Sequence, residues 1–113
     1  VSFDIAADGS LSNYRVWADL GEKVIPDGIC LDAEGAVWVT NSNGFDVIRV
    51  RKGGEVAERI VLSLRSYSCI LGGEDRRSLY LTTAAPGLFA DLQDKRSGRI
   101  EVIKVAVPGA GLP

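Results

Sequence analysis

Short apolar runs alternate with polar turns along the whole chain, and no run keeps the apolar spacing of a helix. Residues 28–31 are continuously apolar, as in a strand buried on both faces, and residues 32–35 follow as an acidic turn that ends in glycine. Residues 36–40 then return with β-branched and aromatic side chains, which favour strands. Further extended runs are predicted at residues 1–6, 11–20, 45–50 and 56–62. The pattern predicts an all-β chain built as a meander of hairpins.

Two parts of the chain repeat the same order of features. Residues 29–40 and 68–82 each hold an apolar strand with a cysteine, an acidic turn with glycine, and a strand with an aromatic residue two positions before a threonine. Residues 3–11 match residues 48–56 in a similar way. Both offsets are about 40 to 45 residues, the period of a four-stranded propeller blade. The repeat predicts a partial β-propeller of about two to two and a half four-stranded blades.

This repeat places all of residues 1–113 in one propeller. The predicted parts are outer strands of one blade at 1–20, a complete blade at 27–62 and most of a final blade at 67–107, with a longer connection at 84–98. A blade buries its faces against its neighbours, and an open sheet edge invites pairing. We therefore expect the rest of the propeller or another chain to cover these faces and edges.

The amino-acid composition limits the kinds of partner and the kinds of catalytic group that we expect. Hydrophobic residues make up 46% of the chain and charged residues 25%, as in a globular domain. The net charge is −2 with both signs interspersed, and no apolar run is long enough to cross a bilayer, so we expect neither a nucleic-acid partner nor a membrane. Cys30 and Cys69 lie in apolar stretches, which predicts reduced core thiols in a cytoplasmic protein. The chain has no histidine, so carboxylates and metal-bound water are the candidate chemical groups.

Asp27 is the carboxylate with the most informative position. Asp27 precedes the predicted innermost strand of a blade. In an antiparallel pair, the first strand starts where the second strand ends, so Asp27 lies at the same end of the sheet as Asn41 and Asn43. Innermost propeller strands line the central channel, so the Asp27 carboxylate would reach the channel mouth, where a hard cation prefers oxygen ligands. The alternative is structural: Pro26-Asp27-Gly28 is also a good turn sequence, and both asparagines are typical turn formers.

The remaining polar and aromatic candidates have structural interpretations. Acidic residues between paired strands are expected to be solvated at hairpin tips on the opposite face, arginines beside them are expected to be exposed, and large aromatics are expected to pack rather than bind a ligand. These residues are Asp32, Glu34, Glu74 and Asp75 at the tips, Arg76 and Arg77 beside them, and Trp38 and Tyr67 as packing residues.

Residues 24–40 resemble the most recognisable C-terminal stretch of the family that contains gluconolactonase, regucalcin (senescence marker protein) and luciferin-regenerating enzyme. The resemblance continues in Phe3-Asp4, Asp8-Gly9-Ser10-Leu11, Asn13-Tyr14-Arg15, Gly72-Gly73 and Leu79-Tyr80, and it covers nearly the whole chain. It implies the C-terminal part of a six-bladed propeller with one divalent cation in its channel.

The same resemblance implies a ligand set and a role for one residue. In the family the cation is held by a glutamate of the first blade, an asparagine of a middle blade and the aspartate of the Pro-Asp-Gly stretch, and only the last maps here, onto Asp27. That aspartate is also the family's candidate general base. Calcium is the cation that the resemblance favours, with zinc, magnesium or manganese as alternatives.

The implied reaction is hydrolysis of a small, sugar-type lactone. The cation polarises the ester carbonyl and a water activated by Asp27 attacks it. One ligand is too few to hold a calcium ion, so we expect the 113-residue chain to be inactive without the rest of the propeller. The alternative function is a non-catalytic propeller segment that serves as a binding or assembly module, because propellers host many unrelated functions.

Overall fold

The computed structural model describes residues 1–87 and 96–111, and within these ranges the regular elements are all strands. They are β1 (Ser2–Ile5), β2 (Leu11–Arg15), β3 (Pro26–Leu31), β4 (Val37–Asn41), β5 (Asp46–Val50), β6 (Val56–Val61), β7 (Arg65–Gly72), β8 (Ser78–Ala84) and β9 (Arg99–Lys104). Antiparallel pairing of chain neighbours gives an N-terminal hairpin (β1-β2), a central sheet (β3-β4-β5-β6) and a third sheet (β7-β8-β9). The prediction of an all-β meander is confirmed.

The central sheet is buried on the face that meets the third sheet. Trp38 of β4 and Val47 of β5 pack in one apolar cluster with Leu79 and Leu81 of β8, and all four side chains are almost fully buried. The alternation of strands places every second residue on this face. The two sheets therefore share one core, and Trp38 is the packing residue that its sequence context predicts.

Residues 16–25 cover the other face of the central sheet. The predicted strand 11–20 ends early, at Arg15, because the apolar residues that follow pack against Val39, Ile48 and Val50 instead of extending the hairpin. The N–H of Gly53 donates to the carbonyl of Trp17 at 2.9 Å and fixes this segment to the sheet. Apolar burial on the sheet outweighs continued pairing with an exposed strand.

The central and third sheets meet closely along their first strands, β3 and β7. A Cβ atom added to Gly28 would lie 2.5 Å from the Cα of Ser68 and 2.8 Å from the carbonyl oxygen of Tyr67. Glycine is therefore required at this position, because any side chain would push the two backbones apart. The first strands of two consecutive sheets lie side by side, as the inner strands of neighbouring propeller blades do.

The chain segment after β9 returns to the far end of β3. The N–H of Ala33 donates to the carbonyl of Pro108 at 2.8 Å, and the N–H of Ala110 donates to the carbonyl of Leu31 at 3.1 Å. Asp32 and Gly109 form an isolated antiparallel bridge between these bonds. Residues 108–110 thus close one end of an otherwise open strand edge.

The predicted connection 84–98 lies partly outside the described residues, since residues 88–95 are not among them, and Ala84 itself ends β8. None of the elements in the two described ranges is a helix long and apolar enough to span a membrane.

Candidate functional site on the first strand of the central sheet

Asp27 is the second residue of β3, at the end of the strand that residues 108–110 leave open. The pairing of β3 with β4 shifts between Pro26 and Ile29, so Asp27 and Gly28 form a β-bulge. A bulge re-aims a side chain relative to a regular strand and is common beside active sites. The hydroxyl of Thr40 donates to the carbonyl of Gly28 at 3.0 Å and holds this bulge in place. The sequence Pro26-Asp27-Gly28 therefore begins a bulged strand and is not an isolated turn.

The Asp27 side chain is exposed. Within residues 1–87 and 96–111, its carboxylate accepts no hydrogen bond and forms no ion pair. Carboxylates with structural roles in this chain have close polar partners; Asp4, for example, accepts hydrogen bonds from Asn13 and Arg15. Both oxygens of Asp27 are thus available to a ligand.

Asn41 lies at the same end of the sheet, directly opposite Pro26, as the meander predicts. Its side chain is almost completely buried, and each polar atom has a protein partner. Oδ1 accepts hydrogen bonds from the N–H groups of Ile25 at 3.1 Å and Asn43 at 3.2 Å, and Nδ2 donates to Oδ1 of Asp46 at 2.8 Å. Asn41 is therefore the turn-forming residue that its context predicts, while the exposed Asn43 follows it in the turn.

Tyr67 occupies the matching place on the neighbouring strand. The pairing of β7 with β8 shifts between Ser66 and Ser68, which makes Tyr67 a second bulge residue beside the first. Its carbonyl is one of the atoms that crowd Gly28, and its side chain is partly exposed. The sequence predicts Tyr67 as a packing residue, and the bulge in β7 has no local sequence signal. The backbone of Tyr67 therefore lies beside Gly28, the residue that follows Asp27.

At the opposite end of the central sheet, the prediction that Asp32 is solvated is wrong. Its side chain is fully buried and accepts hydrogen bonds from the N–H groups of Glu34 at 2.9 Å and Ala36 at 3.0 Å. Its second oxygen lies 2.6 Å from Nε of Arg49, which is also buried. The hydrogen bond to Asp32 is the main cause that raises the pKa of Arg49, so the guanidinium stays charged. Asp32 therefore has a structural role.

Most of the other residues at the hairpin tips have the solvent exposure that the sequence predicts. Glu34, Glu74, Asp75 and Arg77 are exposed, whereas Arg76 is half-buried. A hydrogen bond from the N–H of Arg77, followed by one from Lys104, lowers the pKa of Asp75. Arg76 departs from its predicted exposure because the segment after β9 packs on it: a Cβ at Gly109 would lie 3.0 Å from an Nη atom of Arg76.

Among the described residues, Asp27 is the cation ligand that the sequence resemblance predicts. Across residues 1–87 and 96–111, no three Asp, Glu or Cys side chains converge as a metal site would require. The free carboxylate of Asp27 fits one position in the oxygen-rich coordination of a hard cation, whose shell takes about six to eight oxygens in the case of calcium. Asp27 is thus suited to complete a site and insufficient to form one.

Consecutive antiparallel meanders packed face to face and joined along their first strands define a partial β-propeller. Residues 1–85 match the family model described as the SMP-30/gluconolactonase/LRE-like region. The chain therefore belongs to this family, as its sequence resemblance indicates.

Individual relatives agree with this assignment. Regucalcin of Oryctolagus cuniculus is 34% identical over 109 residues, an alignment that covers 93% of this chain and 36% of that protein. Regucalcin of Homo sapiens is 39% identical over 107 residues, covering 89% of this chain and 36% of that protein. A solved luciferin-regenerating enzyme superposes with a TM-score of 0.77 at 26% identity, covering 95% of this chain and 38% of that one. The chain spans little more than a third of the length of these relatives.

Proposed function

We propose that this chain is the C-terminal part of a divalent-metal-dependent lactone hydrolase, in which Asp27 is a metal ligand and the general base. The observation that carries the proposal is the exposed Asp27 carboxylate, which has no polar partner among the described residues and sits on a bulge of the first strand of the central sheet. Membership of the gluconolactonase-like family supports the reaction class. The substrate would be a small sugar-type lactone.

The residues around Asp27 are arranged to hold its backbone in one place. The Thr40 hydroxyl fixes the bulge from β4, and the buried side chain of Asn41 holds the preceding turn through Ile25. The close contact of Gly28 with β7 prevents the strand from moving toward the third sheet. A ligand held by rigid strands loses little freedom when it binds, which favours affinity and catalysis.

The chemistry divides between the cation and the protein. A bound divalent cation would polarise the lactone carbonyl and stabilise the negative charge that develops on its oxygen. Asp27 Oδ1 or Oδ2 would take the proton from the attacking water and return it to the leaving alkoxide oxygen of the opening ring. Both roles require the Asp27 carboxylate in its ionised form.

The test is the change Asp27→Ala in the complete protein, with Asp27→Asn as the isosteric partner. We expect each variant to lose about 100-fold or more in lactone turnover, the usual contribution of a general base, together with weaker cation binding by calorimetry. Glu74→Ala is the matched control, because Glu74 is an exposed turn carboxylate at the opposite end of its strands. Circular dichroism establishes that each variant is folded.

Wild-type cation affinity and turnover in a folded Asp27→Ala protein would contradict the proposal and favour the non-catalytic binding or assembly module. The 113-residue chain alone is expected to bind a cation weakly and to show no turnover, because it brings one ligand. Turnover by the short chain at the rate of the complete protein would also contradict it.

A further inference from the structure

The two cysteines of the chain lie opposite each other where the central and third sheets meet. Cys30 belongs to β3 and Cys69 to β7, and both contribute to the core between the sheets. Sγ of Cys69 lies 3.6 Å from the carbonyl oxygen of Gly28 and 3.6 Å from that of Trp38. Gly28 precedes Cys30 by two residues and Trp38 pairs directly with Cys30 across the sheet. The Cys69 sulfur is therefore in the immediate surroundings of Cys30.

Each thiol shifts the pKa of the other. A hydrogen bond from Cys69 lowers the pKa of Cys30, against the opposing effect of burial. The same hydrogen bond is the main cause that raises the pKa of Cys69. Cys30 is thus the thiol that ionises first, with Cys69 as its proton-bearing partner. This division into nucleophile and partner is typical of reactive dithiols.

A small oxidant has a route to the pair. Cys30 and Cys69 line a surface cavity of about 410 Å³ between the ends of β3 and β7, together with Arg76 and Ala110. Cys30 is half-buried, whereas Cys69 is buried. Cys30 is therefore both the more accessible thiol and the one that ionises more readily. A cysteine with these two properties is sensitive to oxidation.

We propose that Cys30 and Cys69 form a peroxide-sensitive pair that closes to a disulfide between β3 and β7. The Cys30 thiolate attacks one oxygen of hydrogen peroxide, the O–O bond breaks, and Cys30 becomes a sulfenic acid as hydroxide takes up a proton and leaves as water. Cys69 then attacks the Cys30 sulfur, the S–S bond forms, and the sulfenic oxygen leaves as a second water with the proton of Cys69. Two thiols are oxidised and one peroxide is reduced to two waters.

The bond would connect the first strands of two sheets that are held by packing and by a buried hydrogen bond from the Ser66 hydroxyl to the carbonyl of Asp46. A disulfide needs Cα atoms about 4.4 to 6.8 Å apart, a distance compatible only with strands in close contact. The Gly28–Ser68 contact brings β3 and β7 that close just before the two cysteines. In a reducing compartment such a bond would be transient and regulatory. The proposal concerns the sheet contact and is independent of lactone hydrolysis.

The experiment uses the 113-residue chain, fully reduced and freed of metal with EDTA, then exposed to hydrogen peroxide and alkylated with iodoacetamide. We expect a monomer without alkylated cysteines, a linked Cys30–Cys69 peptide in the digest, and recovery of two alkylated cysteines after dithiothreitol. The folded chain should close at least about 10-fold faster than the same chain in urea, because an ordered contact raises the effective concentration of the partner thiol. Equal rates in the two states would overturn the proposal.

Variants separate the roles of the two thiols. Cys69→Ser should leave a sulfenic acid at Cys30 that dimedone traps, whereas Cys30→Ser should leave Cys69 largely unreacted at the same peroxide dose. Two alkylated cysteines in the peroxide-treated wild type, or disulfides found only between molecules, would contradict the proposal without depending on the folding of any variant.

Discussion

The central sheet and the N-terminal hairpin are built from the same kind of antiparallel pairing in very different surroundings. Every residue of β5 in the central sheet is buried, whereas every residue of β2 in the hairpin is exposed. Both contain strands joined by a tight turn with a glycine at positive φ, Gly35 in the sheet and Gly9 in the hairpin. The comparison shows that local sequence forms the strands and that packing against neighbouring layers buries them.

The hairpin is held by cross-strand pairs at its surface. Phe3 and Tyr14 meet edge to face with ring centroids 5.4 Å apart, and Arg15 lies 2.5 Å from a carboxylate oxygen of Asp4. Exposed pairs of this kind contribute little to the free energy of unfolding, because solvent screens the charges and the side chains lose freedom when they pair. In the central sheet the corresponding charge pair is buried and the apolar side chains lie in a core. Substitutions should therefore have large effects in the sheet and small effects in the hairpin.

The largest expected effect is that of Asp32→Ala. This change leaves the buried Arg49 guanidinium without its closest partner and two N–H groups without their acceptor, so we expect a loss of about 3–5 kcal/mol in the free energy of unfolding. Urea denaturation of the 113-residue chain measures it. The matched control is Glu34→Ala, which removes the other, 63% exposed partner of Arg49 and should cost about 1 kcal/mol or less. Equal losses for the two variants would show that burial does not set the strength of these pairs.

A slightly smaller effect is expected for Ile48→Ala. Ile48 is fully buried between Val39, Val50 and residues 17–24, and removing its side chain should cost about 2–5 kcal/mol. The same change at Ile5, which is 74% exposed in the hairpin, should lie within about 0.5 kcal/mol of the wild type. Thermal and urea unfolding of both variants provide the test. A costly Ile5→Ala would mean that the hairpin is buried by contacts beyond the described residues.

The smallest expected effect is the response of the hairpin to acid. Hydrogen bonds from Asn13, then from Arg15, lower the pKa of Asp4 below its ordinary value of 3.8. The folded pKa is lower than the unfolded one, so the stabilisation is present above the ordinary value and is lost as pH falls through the folded pKa. NMR signals of Phe3 and Tyr14 should report a loosening of the hairpin below about pH 4. Asp4→Asn should reduce this response, and an unchanged response would assign it to Asp8, whose pKa is also lowered.

Sequence predicted the parts of the fold that depend on near neighbours. The hairpin turn at residues 32–35 and the strand pairing around it follow from alternation and glycine placement, and the propeller follows from the repeat. The burial of Asp32 was missed because its partner Arg49 and the covering residues 108–110 are remote along the chain. The cover formed by residues 16–25 was missed because an apolar segment can extend a hairpin or lie on a sheet. Burial then decides between these two outcomes.

For the candidate site too, the sequence predicts what depends on near neighbours and misses what depends on contacts between strands. The direction of the strands is enough to place Asp27 at the same end of the central sheet as Asn41. The bulges at Asp27 and Tyr67 depend on how β3 and β7 accommodate each other, which local propensity does not encode. The role of Asp27 in binding a cation stays a prediction, since the other ligands would come from residues beyond this chain.

The segment that returns to β3 gives that strand two unlike ends. At one end the N–H of Ala33 donates to the carbonyl of Pro108 and the carbonyl of Leu31 accepts from the N–H of Ala110, whereas the described residues after β9 form no such bonds at the end beside Asp27. A long, unpaired strand edge is a template for uncontrolled association between molecules. The returning segment shortens that template, so the strand can present the exposed Asp27 carboxylate without also offering a full-length edge for aggregation.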